Sequence, residues 1–138
     1  MLPRGKVFCD TSFFFASLAS DDSNYLSAGE ILEHCRNNSV MLYSTWDIIS
    51  ETITLLRYRA SYHLAVDFLE IIKPSLFIVN YDDSVRRAAE EIFKKLSKDK
   101  RISFCDSISY VVVVHLLDNI PCFTFDRDFK TLGLTVYP

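Results

Sequence analysis

Val7-Phe8-Cys9-Asp10-Thr11-Ser12 is the stretch that decides the fold. Three apolar residues in succession read as a short strand buried on both faces. The run stops on an acid, and Thr11 or Ser12 is then the expected N-cap of a helix over residues 13–18. A buried strand that passes directly into a helix opens a parallel α/β unit. The same alternation recurs along the chain. Residues 40–43, 76–79, 121–124 and 135–137 read as further strands. Between them, helices are expected from the Asp21-Asp22-Ser23 turn to Asn37, over 45–58 with Thr45 as N-cap, over 61–73 and from Asp82 to Leu96. Residues 107–117 carry a β-branched run, Val111 to Val114, yet exceed strand length and are read as helix. The expected architecture is a three-layer α/β/α single domain with a central, mostly parallel sheet, spanning 1–138.

Bulk composition agrees. The chain has 138 residues, enough for one core, and is 49% hydrophobic, which places it among globular proteins. No apolar run approaches the roughly 20 residues of a membrane span, and no signal-peptide core precedes Asp10. A cytoplasmic protein with no membrane association is expected. Cys9, Cys35, Cys105 and Cys122 are widely spaced and lack a Cys-x-x-Cys pair, so they read as free thiols. His34, His63 and His115 are scattered, so a zinc site is not expected.

Four acids stand at the edges of apolar runs: Asp10, Glu51, Asp106 and Asp126. Charges so placed are costly unless paired or metal-bound. Glu51 follows Ile48 by three positions, which puts it near the buried stripe of its helix. Asp10 and Asp126 fall at carboxyl ends of expected strands, where parallel sheets place their sites. Two carboxylates about 5 Å apart repel by roughly 3 kcal/mol at an effective dielectric near 20. Mg²⁺ or Mn²⁺, which prefer oxygen ligands, relieve that repulsion and support phosphodiester hydrolysis. The net charge of −3 argues weakly against nucleic acid, but offsetting these four acids turns −3 into +1.

The flanks of these acids resemble a known family. Val7-Phe8-Cys9-Asp10-Thr11-Ser12 is similar to the opening strand and Asp-Thr-Ser motif of PIN-domain ribonucleases. Ile48-Ile49-Ser50-Glu51-Thr52-Ile53-Thr54-Leu55-Leu56 resembles the family's Glu-bearing helix. Ile102-Ser103-Phe104-Cys105-Asp106-Ser107 and Phe123-Thr124-Phe125-Asp126-Arg127-Asp128-Phe129 resemble its two later Asp segments, the last followed by Gly133. The resemblance covers nearly the whole chain, in order. It implies metal-dependent cleavage of single-stranded RNA with Mg²⁺ or Mn²⁺, and an acidic quartet of Asp10, Glu51, Asp106 and Asp126. It further implies Asp128 as an accessory metal ligand and Thr11 or Ser12 as supporting hydroxyls. Many members are toxins of the VapC type, held by a small antitoxin and often dimeric, so an antitoxin partner and a homodimer are expectations here.

Blander roles compete with these. Asp106 also suits an N-cap ahead of its helix, and one of Asp126 and Asp128 suits a cap for their shared turn. Ser103 and Thr124 read as cap or turn residues. Arg57 and Arg59, just beyond Glu51, are candidates for RNA phosphate contact, whereas Lys94, Lys95, Lys98, Lys100 and Arg101 read first as a solvated helix end. Phe13, Phe14 and Phe15 read as core or dimer face. Two alternatives to a ribonuclease are a PIN-fold scaffold without catalysis and a phosphatase with Asp10 as nucleophile. The second wants another Asp two residues on, where this chain has Ser12.

Overall fold

The computed structural model describes residues 1–138. Five strands form one sheet: β1 (Lys6–Cys9), β2 (Met41–Ser44), β3 (Phe77–Ile78), β4 (Cys122–Phe123) and β5 (Val136–Tyr137). Their order is β3-β2-β1-β4-β5, and every pairing is parallel. The helices are α1 (Thr11–Leu18), α2 (Tyr25–Asn37), α3 (Trp46–Arg59), α4 (Tyr62–Asp67), α5 (Asp83–Leu96), α6 (Phe104–Val111) and α7 (Arg127–Thr131). Helix α4 continues through a π-helical turn, Phe68–Ile72, and ends where Pro74 withdraws a backbone donor. No helix is long and apolar enough to cross a membrane.

Right-handed crossovers fix the layers. The chain moves outward from β1 to β2 to β3, so α1 to α4 cover one face. It then returns across the sheet to β4 and β5, so α5 to α7 cover the other. The core is aromatic. Phe13 packs on Phe123 at 5.2 Å between ring centroids, and Phe14 packs on Phe68 at 5.1 Å. These four rings and Phe8 are fully buried, each contributing roughly 1.5–3 kcal/mol of apolar burial. Phe15 is half-buried against the same core.

The direction of chain travel reverses between β1 and β4. That makes a crevice at their carboxyl ends, the place where open α/β sheets bind ligands. Asp10 follows β1, and Thr124 and Asp126 follow β4.

Three local expectations need correction. The N-cap of α1 is Asp10 itself, whose carboxylate accepts the Ser12 N–H; Thr11 and Ser12 are already helical. Helix α6 begins at Phe104, not at residue 107, because Ser103 caps it and Asp106 completes a capping box at its third position. Glu51 is exposed rather than near the buried stripe. Ile49 is buried together with Ile48, Thr52 and Leu56. At about 100° per residue this turns the inward arc of α3 away from Glu51. The parallel sheet itself is as expected, with all of its pairings parallel.

Candidate active site

Three of the acids close the crevice. Carboxylate oxygens of Asp106, Asp126 and Asp128 lie within 4.8 Å of one another. Asp106 is buried, and Asp126 and Asp128 are half-buried. Asp10 stands beside this group and is 4% exposed. The charge of Asp10 is felt at Asp106, as is that of Asp126. Glu51 is not one of the three; its carboxylate faces the Cys105 thiol, one residue before Asp106.

Asp10, Asp106 and Asp126 are each held at a helix start by one carboxylate oxygen. Asp10 Oδ2 accepts from Ser12 Oγ at 3.0 Å, from Thr124 Oγ1 at 2.9 Å and weakly from the Ser12 N–H at 3.4 Å. Asp106 Oδ2 accepts the Ser103 N–H at 3.0 Å, and the Ser103 hydroxyl accepts the Asp106 N–H in return at 3.0 Å. Asp126 Oδ1 accepts the Asp128 N–H at 2.9 Å. Capping therefore explains why charges appear at the ends of apolar runs. It also sets side-chain direction while the second oxygen of each carboxylate is free of these bonds.

The electrostatics show crowding. Burial pushes the Asp10 carboxyl up to about 6, against the hydrogen bonds from Thr124 and Ser12 that favour its charged form. Burial, with Asp10 and Asp126 as neighbours, raises Asp106 to about 6 despite the Ser103 N–H. Asp128 is raised by burial and then by Asp126, with Arg101 opposing. Burial, then the Glu51 charge, holds the Cys105 thiol protonated.

These features fit a hard divalent cation. All donors are carboxylate oxygens, as Mg²⁺ and Mn²⁺ prefer. Ligands opposite each other on Mg²⁺ are roughly 4.2 Å apart, so oxygens already within 4.8 Å need little movement to share one ion. Burial raises Asp10 and Asp106, with the charges of Asp10 and Asp126 adding to it at Asp106, and a bound cation would offset that cost.

The hydroxyls divide differently from the expectation. Ser12 Oγ donates to Asp10, lies 3.0 Å from Thr124 Oγ1 and accepts the Phe125 N–H at 2.9 Å. Thr11 is buried; its hydroxyl meets Thr52 at 3.4 Å, and only its backbone N–H serves Asp10. Thr124 belongs to the site although its sequence position reads only as a turn residue. Its hydroxyl donates to Asp10 and accepts the Asp126 N–H at 3.0 Å. The available signal was its place two residues before Asp126, where a threonine hydroxyl can reach forward to the backbone. Arg57 and Arg59 end α3, both exposed. Arg59 lines the groove that Glu51 also lines, whereas Arg57 lies over the Tyr58 ring at 5.9 Å.

The chain is similar to known proteins in sequence and in fold. The sequence pattern of the PIN domain matches residues 7–133. A VapC ribonuclease of Archaeoglobus fulgidus is 36% identical, over 90% of this chain and 80% of that protein. Among solved structures, VapC20 of Mycobacterium tuberculosis, a sarcin-ricin loop cleaving toxin, superposes with a TM-score of 0.80. The match covers 94% of this chain and 96% of that one, at 22% identity. VapBC2 of Rickettsia felis, bound to a DNA fragment from its promoter, gives 0.68 over 96% and 97% at 14% identity. At those identities the structural likeness is one of fold. With the matched pattern and the Archaeoglobus relative, the chain belongs to the PIN domain family, in its VapC ribonuclease group.

Proposed function

We propose that this protein is a divalent-metal-dependent endoribonuclease that hydrolyses RNA phosphodiesters, and that it is the toxin of a toxin–antitoxin pair. The observation that carries the reading is the gathering of Asp106, Asp126 and Asp128 oxygens within 4.8 Å beside buried Asp10. The kinship with a VapC ribonuclease supports the reaction class.

Asp10, Asp106, Asp126 and Asp128 would hold Mg²⁺ or Mn²⁺, with Glu51 completing the acidic set from α3. When bound, the cation supplies Lewis-acid polarisation of the phosphate and activation of water. The chain's residues do the rest. Ser12 and Thr124 hold Asp10 in its ionised form by donating to Oδ2. Ser103 aims Asp106 through the capping box. Cys105, held protonated, presents a neutral surface to Glu51. Arg59, on the groove wall, and Arg57, on the neighbouring helix surface, would contact RNA phosphate.

A VapB-type antitoxin, a homodimer and a cytoplasmic location are parts of the same proposal. The VapBC assemblies of related fold support the partner. Incubation of purified protein with structured and unstructured RNA, with Mg²⁺, Mn²⁺ or EDTA, tests the activity. Cleavage with either metal and none in EDTA is expected. Growth arrest on induction, relieved by co-expression of a small protein encoded beside it, tests the toxin role.

A further inference from the structure

A groove of about 830 Å³ adjoins the acidic site, within the roughly 300–1,000 Å³ range of ligand pockets. It opens between α3, the segment before α5 and the start of α6. Its walls are aromatic and exposed: Trp46 is 50% accessible, Tyr58 80% and Phe104 40%. Burying such rings would favour any contact that covers them. Two of the rings have partners within the fold. Phe104 meets Phe93 edge-on at 5.9 Å, and the Lys73 ammonium lies 5.3 Å over Trp46. Tyr81, on the same wall, donates its hydroxyl to Asp47 at 2.5 Å and lies under Arg86.

Charge at the rim selects the occupant. Arg59 and Arg86 line the groove, and Lys73 adds a third cation beside Trp46. Arg86 keeps an exposed contact to Asp83, of little strength in water. Of the two acids on the wall, Asp47 is engaged by Tyr81 and Glu51 closes the inner end. Glu51 and Cys105 make the groove continuous with the acidic site. Aromatic faces with cations at the rim are the elements that bind unpaired nucleotides by stacking and phosphate contact.

We infer that this groove is a nucleobase subsite, which takes an unpaired base next to the scissile phosphodiester and stacks it on the Trp46 and Tyr58 walls. The inference rests on the ribonuclease reading for the position of the cut, but base binding is measurable without cleavage. A duplex offers no free base face, so the subsite would select unpaired RNA.

Trp46 is the single tryptophan, so its emission reports on the groove directly. The full-length Asp10→Asn protein, in Mg²⁺ at fixed salt, is titrated with a short single-stranded oligoribonucleotide and with an abasic oligomer of equal length. A saturable change in Trp46 emission with the first and none with the second is expected. Tyr58→Ala should raise Kd about 10-fold, the effect of one lost stack, while Tyr58→Phe keeps it. Tyr58 is so exposed that neither change threatens folding.

An equal response to the abasic oligomer, or an unchanged Kd in Tyr58→Ala, overturns the inference. So does a Tyr58→Ala protein that loses self-association in sedimentation while binding the oligonucleotide normally, which would assign the groove to a protein. The two readings fail separately. Wild-type protein that binds through Trp46 yet cuts no RNA supports the subsite and removes the nuclease. Cleavage without a base-dependent Trp46 response removes the subsite and keeps the nuclease.

Discussion

The Thr124 hydroxyl donates to Asp10 Oδ2 across 2.9 Å and accepts the Asp126 N–H at 3.0 Å. One hydroxyl thereby ties the end of β1 to the turn that carries Asp126 and Asp128. It spans the crevice at which the strand order reverses.

Thr124→Val removes the hydroxyl and leaves both partners short of one bond. Stability should fall by about 1–3 kcal/mol, the cost of unsatisfied buried groups. Metal affinity should weaken by about 10–100-fold, as on losing a residue that orients a ligand. Thr124→Ser should recover most of both. Thermal unfolding with and without Mg²⁺, beside kcat as a function of Mg²⁺, checks this. Equal metal affinity in Thr124→Val would remove Thr124 from the site.

The metal-free protein should lose stability as pH rises from about 4 to about 6. Asp10 and Asp106 are raised from an ordinary 3.8 to about 6 when folded. Below 3.8 both states are protonated and no penalty exists. Between the two values the unfolded chain releases its protons first, so folding becomes less favourable; above 6 the loss is complete. Denaturation midpoints in EDTA across this range should fall with pH. Mg²⁺ at pH 7.5 should restore stability, and more strongly than at pH 5 because protons compete for the same oxygens.

Asp10→Asn and Asp106→Asn should each abolish metal-dependent RNA cleavage. In EDTA at pH 7.5, Asp10→Asn should be more stable than wild type by about 1–2 kcal/mol, because it deletes a buried charge. It should gain less than wild type on adding Mg²⁺. Full activity in either variant would sink the assignment of the acids.

Ser109 is buried in α6, and its hydroxyl has no hydrogen-bond partner. Ser109→Ala should be neutral or stabilising by up to about 1 kcal/mol, since it relieves an unmet polar group within a helix. Urea unfolding measures this. A loss above that size would reveal a partner for the hydroxyl.

The strand-to-helix alternation, the parallel sheet and the four acidic segments were legible in the chain because burial and capping leave local marks. Val7 to Cys9 is apolar since both sheet faces are covered, and Asp10 interrupts it because a helix starts there. Cap identity was less legible. Asp10, Thr11 and Ser12 are all good caps, and backbone dihedrals decided among them. The exposure of Glu51 depended on which arc of α3 meets the core, a property of packing against α1 and α4.

Motif order and residue type, set by local physics and readable one segment at a time, determined the architecture and which carboxylates to examine. Only the tertiary structure placed Asp128 with Asp106 and Asp126, left Glu51 across the Cys105 side, and brought Thr124 and Ser12 onto Asp10. The reason is separation along the chain: Asp10 and Thr124 are 114 residues apart, and only the pairing of β1 with β4 makes them neighbours. The groove of Trp46, Tyr58 and Phe104 likewise exists only once the fold brings the start of α6 to α3.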